Sequence, residues 1–506
     1  MTAASTSTLS FFERYHTIID DVGAFLNTLA TPLPLCLWSN DLRINSSDFA
    51  ALLDDEHIHY QRIPWASNGF RILNQRTMGR HWSYIAGLCH IQEEVSMLPA
   101  SILKPQAQEV ILDLCAAPGG KTMQMAVQMQ NSGTVLANDI SHQRLRVLSS
   151  HAQRLGLVNI TSITHHASHI PSTRNKFDRI LADVPCSCEG TSRKNPNVVQ
   201  QLTVKKLQAQ AKQQQAILRR AIQLCKPGGS ILYSTCTYAP EENEAVLNAM
   251  LQEFNQDHHS HLRILPIHIP FLKTTPALSH WQGQEYHPEI SNAIRIWPHH
   301  NNTGGFFIAL IQKQDQIQTQ SPLKPLINLT SKTLITTSNR MQPQEQQQFL
   351  QALNLRFGIR LQPLKLYYWQ QYNQHVRLNS SAHAADFNPI INTGLPLIHT
   401  HGHHPKVTSA GALFLGPFAQ KNKVNLSTEQ RELYLKRQAI CLDQDQIKQL
   451  LPGAVFVAYK NHTIGLGHYR KLQDNNKEAN NNKHSCHQLE SLLPKRWAKT
   501  SALDQP

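Results

Sequence analysis

Between about residue 101 and residue 315, short apolar runs alternate with amphipathic stretches. Val110-Ile-Leu-Asp-Leu-Cys115, Thr134-Val-Leu-Ala-Asn138, Arg179-Ile-Leu-Ala-Asp183 and Ser230-Ile-Leu-Tyr-Ser234 lack the polar alternation of a half-exposed strand. Such runs suit strands buried on both faces. Between them Leu207, Ala211, Leu218, Ile222 and Cys225 recur at close to helical spacing, and Pro227-Gly228-Gly229 predicts the stop of that helix. The βα alternation predicts an α/β fold with a doubly wound parallel sheet, and Phe306-Phe-Ile-Ala-Leu-Ile311 reads as a late strand that closes it. Upstream, residues 1–100 mix strand and helix patterns around turns at Pro32-Leu33-Pro34 and Asn68-Gly69, which predicts a separate α+β domain. Downstream, the Gln-rich stretch 313–348, including Gln342–Gln348, reads as a linker. A short helix ending at Gly358 and an aromatic cluster at Tyr367, Tyr368, Trp369 and Tyr372 follow. The capping box Ser427-Thr-Glu-Gln430 and the strands Ala454–Tyr459 and Ile464–Gly467 predict a small β-rich unit, with Asn-rich residues 474–484 as a mobile loop in it. The expected domains are therefore 1–100, 101–315, a linker and small accessory domain over 316–395, and 396–506.

Charge adds a partner to this outline. Forty-eight Lys and Arg face 34 acids, a balance of +14 that favours a polyanion. No apolar run reaches the length of about 18 residues that a membrane span needs, and the N-terminus has neither the basic start nor the apolar core of a secretory signal. Nine cysteines, an odd count without regular spacing, make no disulfide framework. A cytoplasmic protein without a membrane partner is expected.

Chemistry is concentrated at strand ends. The first strand of the central region runs into Asp113-Leu-Cys-Ala-Ala-Pro-Gly-Gly-Lys-Thr122, whose small residues let backbone amides approach a ligand. It is neither a GxGxxG nor a Walker loop. Asp139, just past the second strand and 26 residues after Asp113, sits where an acid in such folds accepts hydrogen bonds from ribose hydroxyls. An adenosyl cofactor fits the pair. Two further strands run into Asp183-Val-Pro-Cys-Ser187 and Ser234-Thr-Cys-Thr237. One free cysteine is usually a small buried hydrophobe, but two at matching positions on ligand-side strand ends suggest a reaction that needs sulfur. Methylation at carbon 5 of cytosine is such a reaction. That carbon is too electron-poor to attack a sulfonium methyl until a thiolate has added at carbon 6, and a second sulfur can assist release.

Asp113–Thr122, Asp183–Ser187, Arg193-Lys-Asn-Pro196, Ser234-Thr-Cys-Thr-Tyr238 and Glu241-Glu-Asn-Glu244 together resemble the Sun-type RNA (cytosine-5)-methyltransferases. The layout is similar to the RsmF-like branch: His90-Ile-Gln-Glu-Glu94 leads into the catalytic region, and Arg356-Phe-Gly-Ile359 with Gly465-Leu-Gly467 resemble its PUA-type RNA-binding modules. The resemblance implies a Rossmann-like S-adenosylmethionine-dependent methyltransferase domain between an N-terminal RNA-binding domain and a PUA-like module. It implies that Cys236 is the nucleophile, that Cys186 helps release product, and that Asp183 meets the cytosine ring and the methionine end of the cofactor. Cys115, Ala116, Ala117, Pro118, Gly119, Gly120 and Lys121 would form the cofactor loop, with Asp139 on the ribose. Small-subunit (16S) ribosomal RNA is the implied substrate, transfer RNA the alternative, and a monomer is expected. Where many relatives carry an Asp that meets the adenine amino group, this chain has His166 and Ala167, and Asn195 stands where an Asp is common.

Some features point elsewhere. His399, His401, His403 and His404 lack a ligand-like spacing and read as a loop, so no metal is expected. Cys188 reads as packing and Cys115 as an unreactive wall of the cofactor loop. The aromatic cluster suits a small core better than base stacking, since adjacent rings cannot all share one face. Lys205, Lys206, Lys212, Arg219 and Arg220 form a solvated helix face, and Arg193-Lys194 is better placed for phosphates. A catalytically inactive RNA-binding or ribosome-assembly factor of the same fold is the competing reading, supported by the altered third-strand segment.

Overall fold

The computed structural model describes residues 11–497 apart from 76, 172–175, 201, 257–260, 315–339, 361, 373, 381–388, 401–404 and 472–486. His401, His403, His404, the Asn-rich stretch 474–484 and most of the expected linker lie outside the described residues.

The catalytic-region strands are β1 (Val110–Asp113), β2 (Thr134–Asn138), β3 (Ile160–Ile163), β4 (Phe177–Asp183), β5 (Cys225–Thr235) and β6 (Phe306–Gln314). Their spatial order is β6-β5-β4-β1-β2-β3. Adjacent residues of each central strand face opposite cores. Leu112, Leu136, Ile180 and Ile231 pack under the helices Val204–Leu224 and Glu244–Gln256. Ile111, Val135, Leu181 and Leu232 pack under Leu98–Leu103, Gly120–Gln128 and His142–Leu155. Two covered faces explain why these strands read as unbroken apolar runs. Because β1 lies between β4 and β2, the crossovers leave it in opposite directions, and a crevice opens beyond the carboxyl ends of β1 and β4.

The doubly wound core is parallel, as expected, and the late strand that closes it makes the sheet mixed. β1 to β5 are parallel, but β6 runs antiparallel to β5 and carries Ile294–Ile296 beyond it. On the opposite edge, Ile390–Thr393 pairs antiparallel with β3, and the Thr161 and Thr393 hydroxyls meet at 3.0 Å. The long helix ends at Leu224, three residues before Pro227, because the chain from Cys225 already pairs with β4 across an irregular register. Gln342–Gln348 proves to be the start of a helix, Pro343–Phe357, with a capping box between Gln342 and Glu345. Its polar residues face solvent while Leu350, Leu353 and Phe357 are buried.

The N-terminal region carries a four-stranded antiparallel sheet over Leu35–Ile91. A second four-stranded sheet spans Tyr368–Val407, across the expected 395/396 boundary, and a five-stranded sheet spans Lys423–Ser491. In the aromatic cluster Trp369 is buried and Tyr368 is exposed, as alternate strand positions require. The N-terminal sheet and the five-stranded sheet share one hydrophobic core, in which Leu37, Phe49 and Trp82 pack with Tyr434, Val455 and Tyr459. Trp82 meets Tyr459 edge-on at 4.9 Å between ring centroids, and Glu56 accepts from Arg431 at 3.3 Å. Among the described residues, no helix is long and apolar enough to cross a membrane.

Candidate active site

The crevice beyond β1 and β4 is a cavity of about 520 Å³ whose walls include Cys115, Ala117, Pro118, Lys121, Asp139, Asp183, Cys186 and Cys236. That volume lies within the range of small-molecule and cofactor sites.

One end is built by the β1 loop. After Asp113 the chain turns at Gly119, with φ of +110°, to start the helix Gly120–Gln128. A Cβ on Gly119 would lie 2.7 Å from the Leu148 side chain, so only glycine allows the loop this close to the next helix. Asp113 accepts from the Thr122 hydroxyl at 2.6 Å, and burial pushes its carboxyl up to about 7. Asp139 is buried at the end of β2; its carboxylate accepts from Ala117 N at 3.2 Å and Ser141 N at 2.8 Å and pairs with Arg144 at 3.2 Å. These bonds fix the loop to β2 and aim the acid at the cavity.

Beyond β3, His166 is exposed and its ring bonds to the Ser168 hydroxyl at 2.7 Å, while buried Ala167 lines the wall. His165, which sequence reasoning passed over, lines the cavity with a buried Nε2 that has no hydrogen-bond partner among the described residues. Its backbone is pinned by Asn138, which accepts from His165 N at 2.9 Å and donates to its carbonyl. Small walls, an acid at the β2 end and an unpartnered imidazole fit an adenosyl group.

At the other end the loops after β4 and β5 bring the sulfurs together. Cys186 Sγ lies 3.4 Å from Cys236 Sγ and 3.8 Å from Cys188 Sγ, and Cys236 N donates to Cys186 Sγ at 3.4 Å. Asp183 is half-buried beside them, accepting from Lys121 Nζ at 2.7 Å and the Ser234 hydroxyl at 2.8 Å. Burial opposes the charge of Lys121, yet the Asp183 carboxylate holds its pKa above the usual lysine value. The three thiols titrate as a group. Hydrogen bonds from the other two lower Cys188, bonding to Cys188 and Cys236 together with burial raises Cys186, and Cys236 is raised because bonding to Cys188 and burial outweigh the lowering from Cys186.

Three buried glutamates brace these loops. Glu189 accepts from the Tyr15 hydroxyl at 2.9 Å, the Thr237 hydroxyl at 2.9 Å and Tyr238 N at 3.0 Å. Glu242 accepts from Ser187 N at 3.1 Å and Gln214 Nε2 at 2.7 Å, and Glu244 makes a two-bonded pair with Arg295. Asn243 links the Thr235 hydroxyl to the Thr237 carbonyl. Glu241–Glu244 therefore acts as scaffold. Gly190 N donates to Cys236 O at 2.8 Å, and a Cβ there would meet Gly305 O at 2.4 Å.

Arg193 does not face phosphates. It is buried and donates to Thr31, Pro32, Asn302 and Thr303, fastening the N-terminal region to the catalytic one. Lys194 is exposed and lines the cavity, and Lys205, Lys206 and Lys212 are exposed on the helix Val204–Leu224.

Residues 100–312 match the family model described as 16S rRNA methyltransferase RsmB/F, and residues 9–94 match the N-terminal domain of 16S rRNA methyltransferase RsmF. The tRNA (cytosine(49)-C(5))-methyltransferase of Pyrococcus abyssi is 36% identical over 303 residues, which cover 60% of this chain and 94% of the relative. The ribosomal RNA small subunit methyltransferase F of Erwinia tasmaniensis is 29% identical over 465 residues, covering 88% of this chain and 90% of the relative. A solved methyltransferase homolog from Pyrococcus horikoshii is 31% identical with a TM-score of 0.53, covering 62% of this chain and 100% of that one.

Proposed function

The chain belongs to the RsmB/F family of RNA cytosine-C5 methyltransferases, and from that premise we propose that it methylates carbon 5 of a cytidine in small-subunit ribosomal RNA through a covalent adduct with Cys236. The observation that carries this reading is the 3.4 Å approach of Cys186 to Cys236 at one end of a cavity whose other end fits an adenosyl group.

S-adenosylmethionine, when bound, supplies an electrophilic methyl group on a sulfonium. Cys115 to Lys121 would hold it, with Asp139 accepting from its ribose hydroxyls and His165 and Ala167 meeting the adenine end. The protein's part in the reaction is to make carbon 5 nucleophilic and then to release it. Cys236 Sγ, as thiolate, bonds to carbon 6, and the carbon 5–carbon 6 π pair moves to make carbon 5 the attacking atom. Asp183, held by Lys121 and Ser234, is placed to orient the ring at its nitrogen 3 side. After transfer, a base takes the carbon 5 proton, that C–H pair re-forms the double bond, and the carbon 6–sulfur pair returns to Cys236. Cys186 can direct its thiol proton at the departing sulfur. Bonding to Cys188 and burial raise the Cys236 thiol above its ordinary value, so the scheme requires removal of its proton before it attacks.

A folded RNA is the natural partner of a chain with a net charge of +14. The N-terminal and five-stranded sheets, joined through one core, would bind it as one unit, and Lys194 on the cavity wall would meet a phosphate.

Bisulfite sequencing of total RNA from a deletion strain tests the substrate. Loss of one methylated cytidine from small-subunit ribosomal RNA is expected. Loss from transfer RNA alone would move the substrate there, and no change at any cytidine would favour the inactive assembly factor.

A further inference from the structure

Cys188 takes no part in the scheme above, yet its sulfur joins the other two. The sulfurs of Cys186, Cys188 and Cys236 all lie within 4.8 Å of one another. Cys188 reaches this place in the left-handed conformation, with φ of 61°, which costs a residue with a side chain energy and persists only where the surroundings impose it. Its Sγ points back to the Cys186 carbonyl at 3.2 Å, and its own carbonyl is held by the Thr191 amide and hydroxyl. In an extended strand a C-x-C pair shares one face but stands roughly 7 Å apart along the chain, and the bend brings the two sulfurs to 3.8 Å.

We propose that the three cysteines form a thiolate site for a soft divalent cation of the zinc class, and that its occupancy switches methyl transfer off. A zinc–sulfur bond is about 2.3 Å, which places sulfurs of a tetrahedral site about 3.8 Å apart. Two separations, 3.4 and 3.8 Å, lie within tenths of an ångström of that value, and the third, between Cys188 and Cys236, is under 4.8 Å. Binding forms three metal–sulfur bonds and passes to solvent whatever protons the three sulfurs carry, one for each S–H bond broken. The cavity leaves the fourth position open to water. Thiolate ligands select this class over magnesium or calcium. A metal held there occupies the sulfurs that add to and leave the base, whichever of them plays each role.

The site can be read without turnover, so its failure is distinguishable from failure of the methylation reading. The reduced full-length chain is titrated with cadmium while the ultraviolet cadmium–thiolate absorption is followed, and zinc is then added as competitor. One equivalent is expected at the cluster. Cys188→Ala and Cys188→Ser are expected to weaken it by more than the roughly 10–100-fold that follows loss of an outer-shell partner, while Cys441→Ala leaves it unchanged. Cadmium affinity equal to that of the native chain in both Cys188 variants overturns the proposal. With RNA and methyl donor present, equimolar zinc is expected to suppress turnover of the native chain reversibly on chelation and to spare Cys188→Ala. Equal zinc sensitivity of the two proteins overturns it as well.

Discussion

Replacing Cys186 by alanine separates the two sulfurs kinetically. If the Cys186 thiol assists departure of Cys236 from carbon 6, its loss removes an acid–base contribution of about 10²–10⁴-fold from the release step. At 1.36 kcal/mol per tenfold, that is a barrier higher by about 3–5 kcal/mol. The structural cost is small by comparison. Cys186 is half-buried on the wall of an open cavity, so removing its sulfur seals no void, and the fold is expected to lose less than about 1 kcal/mol. Addition then outruns release, and a protein–RNA adduct accumulates. The assay is denaturing electrophoresis of the variant incubated with labelled RNA and methyl donor. The shifted band is expected to vanish on nuclease treatment and to be absent from Cys236→Ala and from the double variant. A band from Cys236→Ala instead would reverse the two roles. No band from either, with both proteins folded, would refute covalent catalysis at this pair.

Three other outcomes are accessible in solution. Asp139→Ala is expected to weaken S-adenosylmethionine binding roughly ten- to hundredfold in calorimetry, since hydrogen bonds to a charged group contribute about 1.5–3 kcal/mol. Burial raises Asp113 from 3.8 to about 7, so the fold prefers its protonated form; the stability this gives is complete below the unfolded pKa and is lost as pH rises through the folded one. Denaturant unfolding between about pH 4 and pH 7 is expected to show a falling contribution of at most about 1.4 kcal/mol per unit, which Asp113→Asn removes. Arg295→Met strands the buried Glu244 carboxylate and is expected to cost about 3–5 kcal/mol in urea unfolding, most of it recovered when Glu244→Leu is added.

The parallel core of the sheet was legible because burial on both faces writes itself as unbroken apolar runs, and Thr134–Asn138 is a strand over just those residues. Pairings between distant segments left no such mark. Nothing local to Ile390–Thr393 says that it joins β3, and nothing near Phe306 says that β6 runs antiparallel to β5. Gln342–Gln348 misled because a solvent-facing helix start and a linker share the same polar composition. In the site, the residues near strand ends were readable from their motifs, and the structure brings Asp139, Asp183, Cys186 and Cys236 to one cavity. Cys188 was not, because nothing in a C-x-C spacing says that the chain bends at the second cysteine and closes its sulfur onto the first. Arg193 carried the motif signal of an RNA contact, but its partners on Thr31 and Asn302 lie far away in sequence.

The core shared by the N-terminal and five-stranded sheets also sets a timetable for biosynthesis. Glu56 must wait for Arg431, 375 residues further along the chain, before its partner exists. At ribosomal rates of about 5–20 residues per second, that interval is roughly 20–75 s. Throughout it Trp82 and its neighbours face solvent as an uncovered apolar surface, and the outer edge of β3 waits likewise for Ile390. The nascent chain therefore carries an uncovered apolar surface until a late segment arrives to complete an early one.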